Sequence, residues 1–295
     1  MTSIADPRAA PAAEALRDPD LDALLAALVE TTGHDFRGYA RSTLQRRLAP
    51  VQRRLGCADL AALRRRVLDD ATAQVAVLGA MTVQVSTMFR DPAYFLALRQ
   101  RVLPLLRDQP LLRVWVAGCS AGEELWSLAI LLAEEGLLDR CRLYATDIHR
   151  DALARAQAAI YPLGRVAEFS RNYLAAGGRR SLADYFSAGY DHARFARSLA
   201  APVVFGDHSL ASDGVFAEMQ LVSCRNVLIY FDRPLQDRAL GLFADGLAAD
   251  GFLGLGARET LRWSAHASAF TEFLPADRIW RRAGAADAAI GAAAR

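Results

Sequence analysis

The pattern of apolar positions divides the chain into an amino-terminal helical part and a longer part in which strands and helices alternate. From Leu21 onward, apolar residues recur every three or four positions, which predicts helices. We expect four of them, at about residues 21–32, 36–55, 59–68 and 71–81. Asp59 suits the N-cap of the third helix, and Gly33 and Gly56 end the first two. No strand signal interrupts this region, so residues 19–82 are predicted to form a small all-helical domain.

A different rhythm begins at residue 112. Apolar residues alternate over 112–116 as in a strand, small residues run from Gly118 to Gly122, and an apolar helix pattern follows. Strand, small-residue turn and helix form the first unit of a nucleotide-binding α/β fold, because the turn admits a ligand close to the backbone and the helix offers free N–H groups. A second predicted strand, 142–146, ends at Asp147, where an acid can accept hydrogen bonds from ribose hydroxyls.

The α/β pattern continues to about residue 283. We expect further strands at 202–205, 219–223, 251–256 and 278–281, and helices at 151–159 and 234–248. Ser209 and Leu210 follow one of these strands and Asn226 follows another, at the strand ends where open α/β sheets bind ligands. An asparagine at such a position is also a common turn former, so its role stays open on this ground alone.

Residues 161–200 break the alternation with glycines and aromatic residues. A connection of this length usually carries its own structure, so we expect an inserted subdomain of helical turns and a few antiparallel strands. It serves either packing or partner binding.

Composition narrows the class of protein. The chain has 295 residues, 53% of them apolar, which supports a large core, and its net charge of +2 says little about partners. It has neither an apolar run of 18 residues nor a signal-peptide pattern, so we expect a cytoplasmic protein without membrane insertion. The four cysteines lack CxxC spacing and the five histidines are scattered, so no metal site is expected.

The second predicted helix carries a basic face. All 35 basic residues of the chain are arginines, and on this helix the pairs Arg46, Arg47 and Arg53, Arg54 recur at a spacing of seven. They form either a solvated face in an arginine-rich chain or a docking surface for nucleic acid or a glutamate-rich helical protein. No aromatic residues interleave with them, which speaks against single-stranded nucleic acid.

The segment before Asp91-Pro92, where a helix is expected to start, mixes large apolar side chains with Ser86, Thr87 and Arg90. It is either a lid over a ligand or an ordered linker.

Four segments now combine into a family signature: STMFRDPAYF, VWVAGCSAGEELWSLAI, LYATDIHRDAL and LVSCRNVLIYFD. In this order and spacing the chain resembles the chemotaxis receptor methyltransferases, the CheR family, over about residues 20–283. The resemblance implies a Rossmann-like S-adenosylmethionine (SAM) methyltransferase sheet with a helical amino-terminal domain and an inserted α/β subdomain. It further implies methyl esterification of glutamates on chemoreceptor helices, with S-adenosylhomocysteine as product and no metal.

The resemblance also implies roles for individual residues. Glu123 corresponds to the acid near the methionine amino group and Asp147 to the ribose ligand. The remaining cofactor positions are Gln84, Ser86, Arg90, Gly118, Ser209, Leu210, Asn226 and Val227. Three of them depart from the family pattern: Gln84 and Ser209 replace asparagines, and Ser86 replaces a threonine.

The chemistry needs few groups. A glutamate with a pKa near 4.3 is ionised at neutral pH, so no general base is required and positioning supplies most of the rate. Arg90 is the candidate for orienting charges, and Tyr230 for a hydroxyl donor near the point of transfer. The basic face of Arg46, Arg47, Arg53 and Arg54 would dock the acidic helical bundle of a receptor.

Three other functions are alternatives. A nicotinamide dehydrogenase needs GxGxxG, which the turn does not match, and a nucleic-acid methyltransferase typically needs an Asn/Asp-Pro-Pro-aromatic motif, which is absent. A SAM-binding adaptor without transfer activity is the remaining alternative. We expect a monomer with a disordered lead (1–18), a helical domain (19–82), a linker or lid (83–100), a methyltransferase domain (101–283) and a tail (284–295).

Overall fold

The computed structural model describes residues 18–81 and 86–284, which form two compact units divided between residues 82 and 83. Gln84, a predicted cofactor ligand, lies outside the described residues. So do residues 1–17 of the expected lead and residues 285–295 of the expected tail. Among the described residues, none of the helices has both the length and the apolar character needed to cross a membrane.

The first unit consists of helices in its described part. They are α1 (Pro19–Thr32), α2 (Arg41–Arg54), α3 (Leu60–Asp69) and α4 (Ala71–Met81). Asp59 caps α3 by accepting a hydrogen bond from the Ala62 amide at 2.6 Å, as predicted, and Gly33 ends α1 with φ of 75°. Leucines on the inner faces of α1 and α2 are fully buried, so these faces form the core of the unit.

The predicted start of the second helix at residue 36 is wrong, because α2 begins at Arg41. The carboxylate of Asp35 accepts hydrogen bonds from the Arg37 amide and from its guanidinium, both at 2.9 Å. Such a local side-chain-to-backbone bond holds a turn and competes with helix formation.

The second unit is built on a seven-stranded sheet. Its strands are β1 (Leu112–Ala117), β2 (Cys141–Asp147), β6 (Val203–Asp207), β7 (Met219–Cys224), β8 (Leu247–Leu255), β9 (Phe270–Leu274) and β10 (Ile279–Arg282). Their order is β6-β2-β1-β7-β8-β10-β9. The first five strands are parallel, and β10 runs antiparallel to both of its neighbours. This mixed sheet is the predicted Rossmann-like methyltransferase architecture.

Helices connect the strands of this unit. They are α5 (Pro92–Ala97), α6 (Leu103–Leu106), α7 (Glu123–Glu134), α8 (Arg150–Ala158), α9 (Val166–Ala175), α10 (Arg197–Ala200) and α11 (Arg233–Gly246). A π-helical turn, Leu98–Val102, joins α5 to α6. Tyr94, Phe95 and Leu98 are buried, so the segment after Asp91 is part of the core.

The insertion carries the antiparallel strands that its composition predicts. They are β3 (Ile160–Pro162), β4 (Phe186–Ala188) and β5 (His192–Phe195), in the order β3-β5-β4. Strand β9 was missed by the sequence analysis, because only Phe270 of its five residues is fully buried and the apolar pattern is weak. The predicted end of the last helix at residue 248 is also wrong, because β8 already begins at Leu247.

Candidate functional site

Six of the predicted cofactor residues lie at one edge of the sheet, because they end or follow neighbouring parallel strands. The strands concerned are β6, β2, β1 and β7, which are adjacent in this order. After their carboxyl ends come, respectively, Ser209 and Leu210, then Asp147 as the last residue of β2, then Gly118, then Asn226 and Val227. The structure therefore brings together side chains that are up to 109 positions apart in sequence.

The glycine turn after β1 is shaped by two close approaches. Gly118 has φ of 70°, and a Cβ atom there would lie 2.6 Å from the Val227 side chain. Gly122 has φ of 90°, and a Cβ atom there would meet the Cα atom of Ala156 at 3.0 Å. Any larger residue at either position would be strained and would clash, so the turn needs glycine at both. The turn thus lies directly against the segment that follows β7.

Asp147 is a half-buried carboxylate held in a fixed orientation. One carboxylate oxygen accepts the Ser120 amide and the other accepts the His149 amide, both at 2.9 Å. Burial raises the pKa of the Asp147 carboxyl, although these amide hydrogen bonds act in the opposite direction. Each oxygen retains acceptor capacity, so the group can receive two further hydroxyl donors, as a ribose diol would provide.

Glu123, the first residue of α7, presents a second acid, which is buried. Its Oε1 accepts from the Arg165 guanidinium at 2.8 Å, and Arg165 also donates to the Ser86 carbonyl oxygen. Its Oε2 is buried and has no hydrogen-bond partner among the described residues. A buried carboxylate oxygen without a donor is costly, so this atom suits a ligand that brings a cationic or N–H group. The fit to the amino group of SAM is good.

A third acid, Glu259, organises the turn after β7 and was missed by the sequence analysis. Its Oε2 accepts the amides of Asn226 at 3.0 Å and Gly256 at 2.5 Å, and its Oε1 accepts the Ile229 amide at 3.3 Å. Burial raises the pKa of this carboxyl, against the effect of the amide hydrogen bonds. Asn226 is held with φ of 61°, which asparagine tolerates better than most residues.

Arg225, also missed, joins several segments beneath this turn. It donates to Glu124 at 3.1 Å, to Asp91 at 2.8 Å and to the Arg90 carbonyl oxygen at 2.9 Å. Its guanidinium carbon lies 4.1 Å from the centre of the Tyr94 ring. The signal in the sequence was a charged residue directly after six buried strand residues, since such a residue must find partners inside the protein.

The two predicted catalytic residues lie on segments that Arg225 connects. Arg90 directly precedes Asp91, and Tyr230 lies in a short 3₁₀ helix, Leu228–Tyr230, after β7. Ser209 has a local role in the structure: its hydroxyl accepts the Ala211 amide at 3.2 Å. The predicted contacts of these residues with cofactor and substrate remain predictions.

In the first unit, the basic face borders a groove of about 730 Å³ between α2 and α4. Its lining consists of Arg46, Arg47, Pro50, Val51, Arg54, Val75, Ala76, Gly79 and Ala80. Arg53 is exposed but does not line the groove, and Arg47 donates to the Ala80 carbonyl oxygen at 3.2 Å. The predicted four-arginine surface therefore contains one member that also supports the packing of its own unit. Within residues 18–81 and 86–284, no cluster of three or more potential metal ligands occurs.

Comparisons with known proteins agree with this geometry. Residues 84–274 match the model of the CheR methyltransferase SAM-binding domain, and residues 19–82 match the CheR methyltransferase all-alpha domain. A Pseudomonas putida protein named "Putative methyltransferase Cher3" is 48% identical over 265 residues, which are 90% of this chain and 97% of the relative. A "Chemotaxis protein methyltransferase" of Vibrio parahaemolyticus is 30% identical over 73% of this chain and 79% of its own length.

A solved structure, the N-methyltransferase NodS from Bradyrhizobium japonicum in complex with S-adenosylhomocysteine, aligns with 80% of this chain and 98% of its own. At 15% identity and a TM-score of 0.36 this alignment adds nothing to the assignment. The family models and the sequence relatives suffice, since they span both units. This chain belongs to the CheR methyltransferase family and has the SAM-binding domain of that family.

Proposed function

We propose that this protein transfers the methyl group of SAM to glutamate side-chain carboxylates of chemoreceptors and thereby sets receptor adaptation. The observation that carries the proposal is the pair of acids at the sheet edge, of which Glu123 is buried and Asp147 is half-buried. Asp147 is an acceptor fixed by two amides, and Glu123 keeps one buried oxygen without a donor among the described residues. The names of the relatives, chemotaxis protein methyltransferases, support the substrate class.

The residues divide the cofactor between them. Asp147 would accept the ribose hydroxyls, and Glu123 Oε2 the amino group of the methionine part. Ser209 and Leu210 would flank the adenine. Gly118, Asn226 and Val227 would line the methionine end, with Gln84, Ser86 and Arg90 of segment 83–100 closing over it. When bound, SAM supplies a methyl group on a positively charged sulfur.

The chain itself needs to supply orientation rather than a base, because a glutamate is ionised at neutral pH. Arg90 would orient the substrate carboxylate, and Tyr230 would donate a hydrogen bond near the point of transfer. The ion pair with Arg90 must be loose, since tight binding of the ground-state carboxylate would raise the barrier to attack. The Ser120 amide that donates to Asp147, and the Glu259 carboxylate that accepts the Asn226 amide, would keep the cofactor-binding residues in place.

The partner would bind through the first unit. Arg46 and Arg54 are exposed along an apolar-floored groove, and Arg53 extends the charge. An acidic receptor helix could place apolar residues in the groove and carboxylates against the arginines.

The proposal is tested with SAM labelled on its methyl group and a purified receptor cytoplasmic fragment. Transfer should occur, and the label should be released as methanol by mild base, because carboxyl methyl esters hydrolyse where N-methyl groups do not. Substituting glutamine for the acceptor glutamates should abolish it. A protein that binds SAM but labels no receptor would be an adaptor instead, and base-stable label would refute glutamate methylation.

A further inference from the structure

We propose that Arg225 is a positioning residue for methyl transfer: it fixes the backbone on both sides of the Arg90–Asp91 peptide and so sets where the Arg90 side chain points. This inference rests on the role proposed above for Arg90. It concerns a residue that does not itself reach the substrate. Three observations carry it.

The first observation is the geometry of the ion pairs made by the buried Arg225 guanidinium. The Arg225 side chain is 1% exposed, and its fork spans two segments. One nitrogen is 3.1 Å from Glu124 Oε2, while the other is 2.8 Å from Asp91 Oδ2 and 2.9 Å from the Arg90 carbonyl oxygen. A planar guanidinium joined to both partners leaves little freedom for either segment to move.

The second observation is that the partners of Arg225 are themselves held. Glu124 accepts the Ser223 hydroxyl at 2.6 Å, and Ser223 is hydrogen-bonded to the Tyr94 hydroxyl at 2.8 Å. The guanidinium also lies over the Tyr94 ring. The network therefore runs from the first turn of α7 through the end of β7 to α5, and each of these elements contributes buried residues to the hydrophobic core. Because the Arg225 guanidinium is anchored in this way, it holds the Arg90–Asp91 segment in one position.

The third observation is the backbone around Arg90. Phe89 has φ of 51° and Asp91 has φ of 54°, so a left-handed residue lies on each side of Arg90. Such conformations cost free energy in residues other than glycine and persist only where the surroundings impose them. The Phe89 amide donates to the Ser127 hydroxyl at 2.8 Å, and Arg225 takes the Arg90 carbonyl and the Asp91 carboxylate. Without Arg225, the second of these conformations loses its main restraint.

Arg99 provides a matched control. It is equally buried, with 5% of its side chain exposed, and it also pairs with two carboxylates, Glu134 at 2.5 Å and Glu135 at 2.8 Å. Its partners lie at the far end of α7, and its hydrogen bonds within the described part of the chain go to Glu134 and Glu135 rather than to residues proposed to bind cofactor or substrate. Loss of its fork should therefore affect stability alone.

The experiment is a double-mutant cycle on the affinity for S-adenosylhomocysteine, measured by calorimetry. Arg225→Lys, Arg90→Ala and the combination are compared with the unmutated protein, and Arg99→Lys is the control. We expect Arg225→Lys and Arg90→Ala each to weaken binding about tenfold, and the double variant to bind no worse than Arg90→Ala, because residues acting as one unit are not additive. Arg99→Lys should lower Tm by as much as Arg225→Lys but change affinity less than twofold.

Several outcomes would overturn the proposal. The first is a double variant in which the two losses of affinity multiply. The second is an Arg225→Lys protein whose affinity changes as little as that of Arg99→Lys. The third is an Arg90→Ala protein that binds S-adenosylhomocysteine as well as the unmutated protein does. If Arg225→Lys fails to fold, Asp91→Asn replaces it, since asparagine tolerates the left-handed backbone and removes only the charge. An Asp91→Asn protein with unchanged affinity would equally overturn it. The double-mutant cycle needs no methyl acceptor, so its result can be interpreted even if the protein does not methylate receptors.

Discussion

Arginine is used in opposite ways in the two units. On α2 of the helical unit, Arg46, Arg53 and Arg54 are exposed to water. In the sheet unit, Arg99 and Arg225 are almost fully buried, and each pairs with two carboxylates. The composition of the chain, which has no lysine, conceals this division because every basic residue looks alike in the sequence.

The same guanidinium group therefore has two effects: an exposed arginine attracts a charged partner, whereas a buried arginine holds its hydrogen-bonded neighbours in place. Exposed charges are screened by salt within about 10 Å at 0.1 M, so they affect encounter and docking. Buried and paired charges are screened little, and removing one leaves its partner desolvated, so they fix geometry. Four perturbations extend the comparison: three act on carboxylates that fix geometry in the sheet unit, and one acts on the exposed arginines of the helical unit.

The largest effect is expected from Asp147→Ala, which removes the carboxylate acceptor at the end of β2. Hydrogen bonds to a charged group are worth about 1.5–3 kcal/mol each, so losing two ribose contacts should weaken S-adenosylhomocysteine binding about 100-fold or more. The control is Asp207→Ala, because Asp207 pairs in register with Asp147 on the neighbouring strand but is exposed and bonded to Arg150. Calorimetry should show Asp207→Ala within twofold of the unmutated protein, and equal losses in both variants would refute the assignment of Asp147.

The next effect is expected from Glu259→Gln. An amide cannot accept from all three backbone N–H groups with the strength of a carboxylate, and about 2 kcal/mol of lost turn stabilisation corresponds to about a 30-fold fall in kcat/KM. Glu272→Gln makes the same change at an exposed position of β9 and should leave turnover and Tm unchanged. The measurement is the methyl-transfer rate of each variant, which shows whether turnover depends on the Glu259 carboxylate. Normal turnover of Glu259→Gln would show that the turn does not depend on this acid.

A smaller and more selective effect is expected from reversing charges in the groove. Arg46→Glu with Arg54→Glu should raise KM for a receptor about fivefold at low salt, and the effect should fade towards 1 M salt as screening shortens to about 3 Å. Arg47 is left intact because it supports the packing of α4. The control, Arg64→Glu with Arg65→Glu on α3, changes the net charge equally. If both pairs raise KM alike, net charge rather than the groove governs docking.

The smallest effect is expected from pH. Burial raises the pKa of Asp147, so its ionised form costs stability above that pKa and the cost is relieved as pH falls through it. Cofactor binding needs the ionised form as acceptor, so affinity should fall over the same window. The affinity of the unmutated protein should therefore begin to fall at a pH above the ordinary aspartate pKa of about 3.9. Asp147→Asn should lack this component, and parallel pH profiles of both proteins would refute it.

Much of the architecture follows from local patterns. Strands β1, β2 and β7 are apolar and end in small or polar residues, so their existence and approximate bounds were predicted correctly. The cofactor roles of the residues that follow them stay predictions. The short edge strand β9 and the start of α2 were not, because one has few buried residues and the other depends on a side-chain bond of Asp35. The apolar pattern of a sequence therefore predicts a helix or strand well only where burial of apolar side chains stabilises that element.

The site was predicted less completely than the fold. Glu123 and Asp147 stand out because an acid follows a strand or a glycine turn. Glu259 lies in a loop 33 residues after Asn226, and nothing in the sequence indicates that its carboxylate receives that amide. Arg225 likewise finds Glu124 and Asp91 from more than 100 positions away. Such pairings depend on the three-dimensional fold, so a single sequence does not reveal them.

The order of the last strands has a consequence for how the protein is made and handled. Strand β10 lies between β8 and β9, although it follows both in sequence. During synthesis, one edge of β8 therefore has no hydrogen-bonded neighbour until residues 279–282 have left the ribosome. An unpaired strand edge of this kind can pair with other nascent chains. A protein truncated after residue 274, where the family match stops, would lack β10. The edge of β8 would then stay unpaired, and the truncated protein should aggregate.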